Sequence, residues 1–197
     1  MNKILQLKID LAFIRPAITR TVLVPDDYSF YNLHHVIQIC MGWANCHLFA
    51  FREKEYVIEI PHEFDDEDLG FGTRFKKIDP RNILLNEYFN AEKVKIKYEY
   101  DFGDSWEHFI TLQKIIQPEK DKVFPLCIKA KRNCPPEDCG GFPGYMHLIE
   151  IMQKNKSREY KEMVEWLGGE FDPEEVDIES INDNLCDIDN YITEYEG

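Results

Sequence analysis

The sequence predicts an α+β fold: a mainly antiparallel sheet of about five to six strands, helices packed on it, and a helical acidic C-terminal segment. Three observations carry this. Several runs alternate apolar and polar residues with the period of a half-buried strand, others place apolar residues at helical spacing, and the strand runs stand next to one another in pairs joined by turn residues. With 197 residues, 44% hydrophobic, the chain can bury a core of ordinary size, so neither a disulfide nor a metal is needed merely to fold.

Residues 4 to 11 put Leu5, Leu7, Ile9 and Leu11 on one side and Gln6, Lys8 and Asp10 on the other. A second β-rich run, Ile18 to Val24, follows Arg15-Pro16 and ends at Pro25, and the two are expected to pair antiparallel. Ser29 is placed to cap a helix carrying Phe30, Leu33, Ile37, Cys40 and Met41, and Gly42 is placed to end it. Cys46 to Arg52 and Tyr56 to Ile60 read as a hairpin around Glu53-Lys54-Glu55. Residues 61 to 82, with Asp65-Asp66-Glu67-Asp68, Gly70 and Gly72, read as a surface loop, and a short helix is expected around Ile83 to Phe89.

The clearest β signal is Val94, Ile96, Tyr98, Tyr100 and Phe102, continued beyond Gly103-Asp104-Ser105 by Trp106, His108, Ile110 and Leu112. Pairing Phe102 with Trp106 and Tyr100 with His108 keeps apolar side chains on one face and leaves a three-residue loop with Gly103 free for positive φ. Two more helices are expected around Tyr145 to Met152 and Tyr160 to Leu167. In the tail, Ile178, Ile181, Leu185, Ile188, Ile192 and Tyr195 recur at spacings of three and four, with Asp172-Pro173-Glu174-Glu175 as the expected helix start. Residues 1–169 are thus expected to form one domain and residues 170–197 an extension packing on it.

The formal net charge of −14 is concentrated in that extension, where residues 170 to 197 hold 11 acidic and no basic side chains. The remaining 26 acidic side chains are nearly balanced by 23 basic ones. This argues against nucleic acid as a partner, since phosphate binding needs a basic face. Six cysteines without a C-x-x-C pair or a secretory leader read as reduced thiols of a cytoplasmic protein, and the apolar runs are too short for a membrane span.

Chemistry concentrates in two places. The hairpin tip brings together Asp101, Asp104, Trp106 and His108, and the segment Cys134-Pro135-Pro136-Glu137-Asp138-Cys139-Gly140-Gly141 is a backbone-restricted loop of acids and thiols. With His34 and His47 these give the candidate binding residues His34, His47, Asp101, Asp104, Trp106, His108, Cys134, Glu137 and Asp138. Should they converge, they could hold a divalent metal; no cofactor is otherwise predicted. Signatures of nucleotide-binding loops, serine hydrolases and zinc proteases are missing from the sequence.

At these residues the sequence resembles the plasmid pRiA4b ORF-3-like family from about Ile4 to about Leu185. The blocks that carry the resemblance are Arg15 to Pro25, Leu33-His34-His35-Val36-Ile37-Gln38 leading to Gly42-Trp43, His47-Leu48, Tyr100 to His108, Cys134 to Gly141, and Phe171-Asp172-Pro173. The resemblance implies a compact α+β fold with antiparallel strands and supplies no activity. Resolvase and repressor labels attached to members gain no support from this sequence, which shows neither a resolvase-like serine motif nor a basic helix-turn-helix. Where the family tends to place a second histidine two positions after the one matching His47, this chain has Phe49, which counts against metal ligation by that strand.

Two readings follow. One is a non-catalytic binding or regulatory module for a protein or small-molecule partner, with Trp106 as an aromatic anchor and the acidic tail gating the surface. The other is a metal-dependent hydrolase using the Asp101, Asp104 and His108 hairpin and the Cys134, Glu137 and Asp138 loop.

Overall fold

Strict alternation along the central strands decides the architecture, because it gives the sheet one apolar face that helices must cover. The computed structural model describes residues 3–61, 76–154 and 157–196. The expected loop motifs Asp65 to Asp68, Gly70 and Gly72 lie outside them.

Among the described residues eight strands form one sheet: β1 (Ile4–Leu11), β2 (Thr19–Pro25), β3 (Phe49–Arg52), β4 (Tyr56–Ile58), β5 (Lys76–Ile78), β6 (Lys95–Tyr100), β7 (Trp106–Ile116) and β8 (Leu126–Lys131). Their order is β5-β4-β3-β6-β7-β1-β2-β8. Every pairing is antiparallel except β4 with β5. Eight strands replace the expected five to six because β5 and β8 left no alternating signal. Three-residue β5 is an edge strand inside the stretch read as loop, and in β8, the other edge, Cys127 alone is buried.

Leu5, Leu7, Ile9 and Leu11 of β1, Ile96, Tyr98 and Tyr100 of β6, and Trp106, His108, Ile110 and Leu112 of β7 face the core. Over them lies α1 (Phe30–Met41). Ser29 and Asn32 cap it reciprocally, and Gly42 ends it in the left-handed conformation. The other helices are the single turn α2 (Leu85–Tyr88), α3 (Gly141–Gln153), α4 (Arg158–Leu167), α5 (Ile178–Cys186) and α6 (Ile188–Glu196). Pro173 and Glu174 form a turn instead of the expected helix start; Asp177 caps α5, its carboxylate accepting from the Ser180 amide. Leu185 and Ile188 enter the core, so the tail's apolar stripe docks on the body against α1 and β8.

The β6–β7 register differs from the expected one by two residues: Tyr100 pairs with Trp106 and Tyr98 with His108. A shift of two preserves the face, so His108 and Trp106 still point inward, but the loop grows to residues 101–105. Asp101 is the cause. Its Oδ1 accepts the backbone amides of Gly103 (2.9 Å) and Asp104 (3.3 Å), while its own carbonyl accepts from the Ser105 amide (2.6 Å). Positive φ is therefore taken up by Asp101 and Ser105, and Gly103 has none.

Arg20 fixes the loop that follows β8. Its buried guanidinium donates to the Cys40 carbonyl (2.8 Å) in the last turn of α1, to the carbonyls of Thr19, Lys131 and Arg132, and to Cys134 Sγ (3.0 Å). No carboxylate pairs with it among the described residues; the negative end of the α1 dipole faces the charge instead. Trp43 Nε1 then holds the Pro135 carbonyl at 2.8 Å, so the proline-rich loop hangs from the end of α1.

Candidate metal-binding site

Three segments meet at one corner: residues 44–48 after α1, the β6–β7 turn, and the turn at Glu137-Asp138. The Asp101 amide donates to the Leu48 carbonyl at 2.9 Å, extending the β3–β6 ladder by one step and setting Asp101 beside His47. Two bonds bring the third segment in. Asp104 Oδ2 accepts the Gly140 amide (3.0 Å), and Glu137 Oε1 accepts both the Ala44 amide (2.8 Å) and the Tyr100 hydroxyl (3.0 Å). Gly141 is required at this contact: its φ is +64°, and a Cβ there would sit 2.6 Å from the Asp104 carbonyl oxygen.

The result is a histidine facing three carboxylates. His47 Nε2 lies 3.1 Å from Asp138 Oδ1, 3.7 Å from Asp101 Oδ2 and 3.8 Å from Glu137 Oε2, and it has no hydrogen-bond partner although the atom is buried. The last two separations are too long for hydrogen bonds. They are close to the roughly 3.3–3.6 Å between two atoms that each lie about 2.0–2.2 Å from one tetrahedral ion. Asp101 and Glu137 each have one oxygen tied to protein donors and the other turned toward His47, which is how outer partners orient ligands for a metal. Cys46 joins the cluster: its Sγ, a His47 ring nitrogen and a Glu137 oxygen lie within 4.8 Å of one another. Burial, then Glu137 and Asp138, push the Cys46 thiol above its ordinary pKa and so disfavour the thiolate; a coordinated cation would act the other way.

Of the nine nominated residues, His47, Asp101, Glu137 and Asp138 converge. Asp104 serves as a stitch between two loops. His34, His108, Trp106 and Cys134 belong to the core. His34 pairs with the Tyr98 hydroxyl (2.8 Å) and Asn45 Oδ1 (2.6 Å) and stacks on Phe49, whose ring centroid is 3.5 Å away. Phe49 thus fills, as a stacking partner, the position where a second histidine was looked for. His108 is fully buried between Trp43 and Tyr98, and burial pulls its pKa down to about 3. Trp106 is 3% exposed beside Trp43, which excludes it as a surface anchor, and Cys134 is held by Arg20. Cys46, Tyr100 and Ala44 were not nominated; the sequence signal was the adjacency of Cys46 to His47.

The model of the plasmid pRiA4b ORF-3-like family matches residues 3–180. The chain belongs to that family. An uncharacterised protein, y4hQ, of Sinorhizobium fredii (strain NBRC 101917 / NGR234) is 33% identical over 187 residues, covering 94% of this chain and 92% of its own. A crystal structure of a Methanosarcina mazei Go1 protein of unknown function, MM3350, superposes with a TM-score of 0.77 at 32% identity, covering 91% of this chain and 97% of that one. The solved structure agrees with the fold, and neither relative carries an activity across. Among the described residues no helix is long and apolar enough to cross a membrane.

Proposed function

We propose that this protein is a binding module whose ligand is a divalent metal ion, held by His47, Asp101, Glu137 and Asp138 with Cys46 as a further donor. One observation carries the reading: His47 Nε2 stands 3.7 and 3.8 Å from the untied oxygens of two carboxylates whose other oxygens are fixed by protein donors. Imidazole and thiolate beside carboxylates suit zinc and its neighbours better than magnesium or calcium. The hydrolase reading drew also on Asp104, His108 and Cys134, and those three side chains have structural partners or are enclosed in the core.

The test is calorimetric titration of the chelator-treated full chain with Zn²⁺, Mn²⁺ and Mg²⁺. One Zn²⁺ per chain is expected, with Mg²⁺ far weaker. His47→Ala should abolish binding, and Glu137→Gln, which neutralises a direct donor, should weaken it by at least the roughly 10–100-fold typical of losing an outer-shell partner. Absence of Zn²⁺ binding, or a His47→Ala variant that binds as the parent does, would overturn the reading.

A further inference from the structure

We propose that the acidic C-terminal segment sets the affinity of the His47 site, with Tyr195 as the positioning residue; this rests on the metal-binding reading above. Tyr195, near the end of α6, donates its hydroxyl to the Ala44 carbonyl at 2.7 Å, across 151 residues of sequence. The amide on the other side of Ala44 is the one that holds Glu137 Oε1, and the next two residues but one are Cys46 and His47. The strap bearing two of the donors is therefore pinned at one residue from both sides, by the tail and by a donor carboxylate. A third bond steadies it, from the Cys46 amide to the Tyr100 hydroxyl (3.1 Å), and that same hydroxyl donates to Glu137.

The tail reaches this strap over a defined path. Leu185 and Ile188 anchor it in the core, and the Asn182 side chain pairs with both the amide (2.7 Å) and the carbonyl (3.0 Å) of Cys127 on β8. The rings of Tyr191 and Tyr195 lie 4.8 Å apart and both face His35 of α1, at 5.7 and 6.1 Å. Tyr195 also lines an open groove of about 610 Å³ together with His47, Asn45, Phe49 and Phe102. The tail carries 11 acidic and no basic side chains in sequence, with Glu174 paired to Arg132, so its net negative charge adds to a field that favours cations. Contact and charge act in the same direction: a docked tail orders the strap and raises cation affinity, and by linkage a bound cation holds the tail down.

Zn²⁺ titration of the full chain and of Tyr195→Phe, with Tyr88→Phe on α2, whose hydroxyl bonds Glu53 and the Lys95 carbonyl, as control, tests the coupling. Loss of one hydrogen bond that is made better in the bound state should weaken Zn²⁺ binding by about threefold to tenfold in Tyr195→Phe and leave the control unchanged. Hydrogen exchange supplies the readout that a merely structural tyrosine would not move. Zn²⁺ should slow exchange in α6 of the parent and do so less in Tyr195→Phe, while amides 44–49 exchange faster in the ion-free variant. Unchanged affinity within twofold, with α6 exchange indifferent to Zn²⁺, would overturn the tail coupling and leave the metal site standing. A parent chain that binds no Zn²⁺, or a His47→Ala chain that binds it normally, would overturn the site and the coupling together.

Discussion

Acidification is expected to unfold this protein through buried histidines that are not among the donors of the proposed site. His34, His35 and His108 are all buried, and His35 has no hydrogen-bond partner for either ring nitrogen. Burial pulls the His35 pKa down to about 4 and that of His108 to about 3, and it lowers His34 well below the ordinary value of 6.5. Between pH 6.5 and those values the unfolded chain binds more protons than the folded one, so the stability contribution is complete above pH 6.5 and is lost as pH falls. For His35 and His108 this costs about 2 kcal/mol each between pH 7 and pH 5, and His34 acts in the same direction. The two together take about 4 kcal/mol, most of the stability of a domain at the low end of the typical 5–15 kcal/mol. Urea unfolding followed by tryptophan fluorescence at pH 7, 6 and 5 reads this directly, since Trp43 and Trp106 flank the buried cluster. Substituting His108→Leu removes one of the three, so its stability relative to the parent should improve by about 2 kcal/mol on going from pH 7 to pH 5. A parent stability that is flat from pH 7 to pH 5, or a His108→Leu difference that does not change with pH, would refute the argument.

Two further substitutions probe the scaffold beneath the site. Gly144→Ala would place a Cβ 1.7 Å from the Cys139 carbonyl oxygen, a clash with backbone that requires the start of α3 to move; chemical denaturation should show a loss of several kcal/mol, with soluble yield falling accordingly. Arg20→Met strips the donor from four backbone carbonyls and Cys134 Sγ while keeping an unbranched apolar stem, and should cost about 3–5 kcal/mol by urea unfolding, with faster exchange at residues 131–135.

The strands and helices with strong periodicity were legible in the sequence: β1, β2, β6 and β7, and α1 with its Ser29 cap and Gly42 stop. What escaped did so for local reasons. The edge strands β5 and β8 bury one face too little to alternate. The hairpin slipped by two residues because the Asp101 side chain makes a turn of its own, which a count of apolar faces does not register. The site was half legible. Clustered polar residues marked the right two loops, but residue type does not say which histidine a helix will bury. His34 is held by Tyr98 and Asn45 and stacks on Phe49, His108 alternates inward, and among the described histidines only His47, on a short irregular strap, keeps a nitrogen directed at carboxylates.

The most direct measurement of the central claim is an anomalous difference map from crystals of the full chain grown with Zn²⁺, collected on both sides of the zinc edge. The account predicts one strong peak about 2.0–2.2 Å from His47 Nε2, with Asp101 Oδ2 and Glu137 Oε2 in the same shell. Crystals saturated with Zn²⁺ that show no peak there, and His47 instead donating a proton to Asp138, would contradict it.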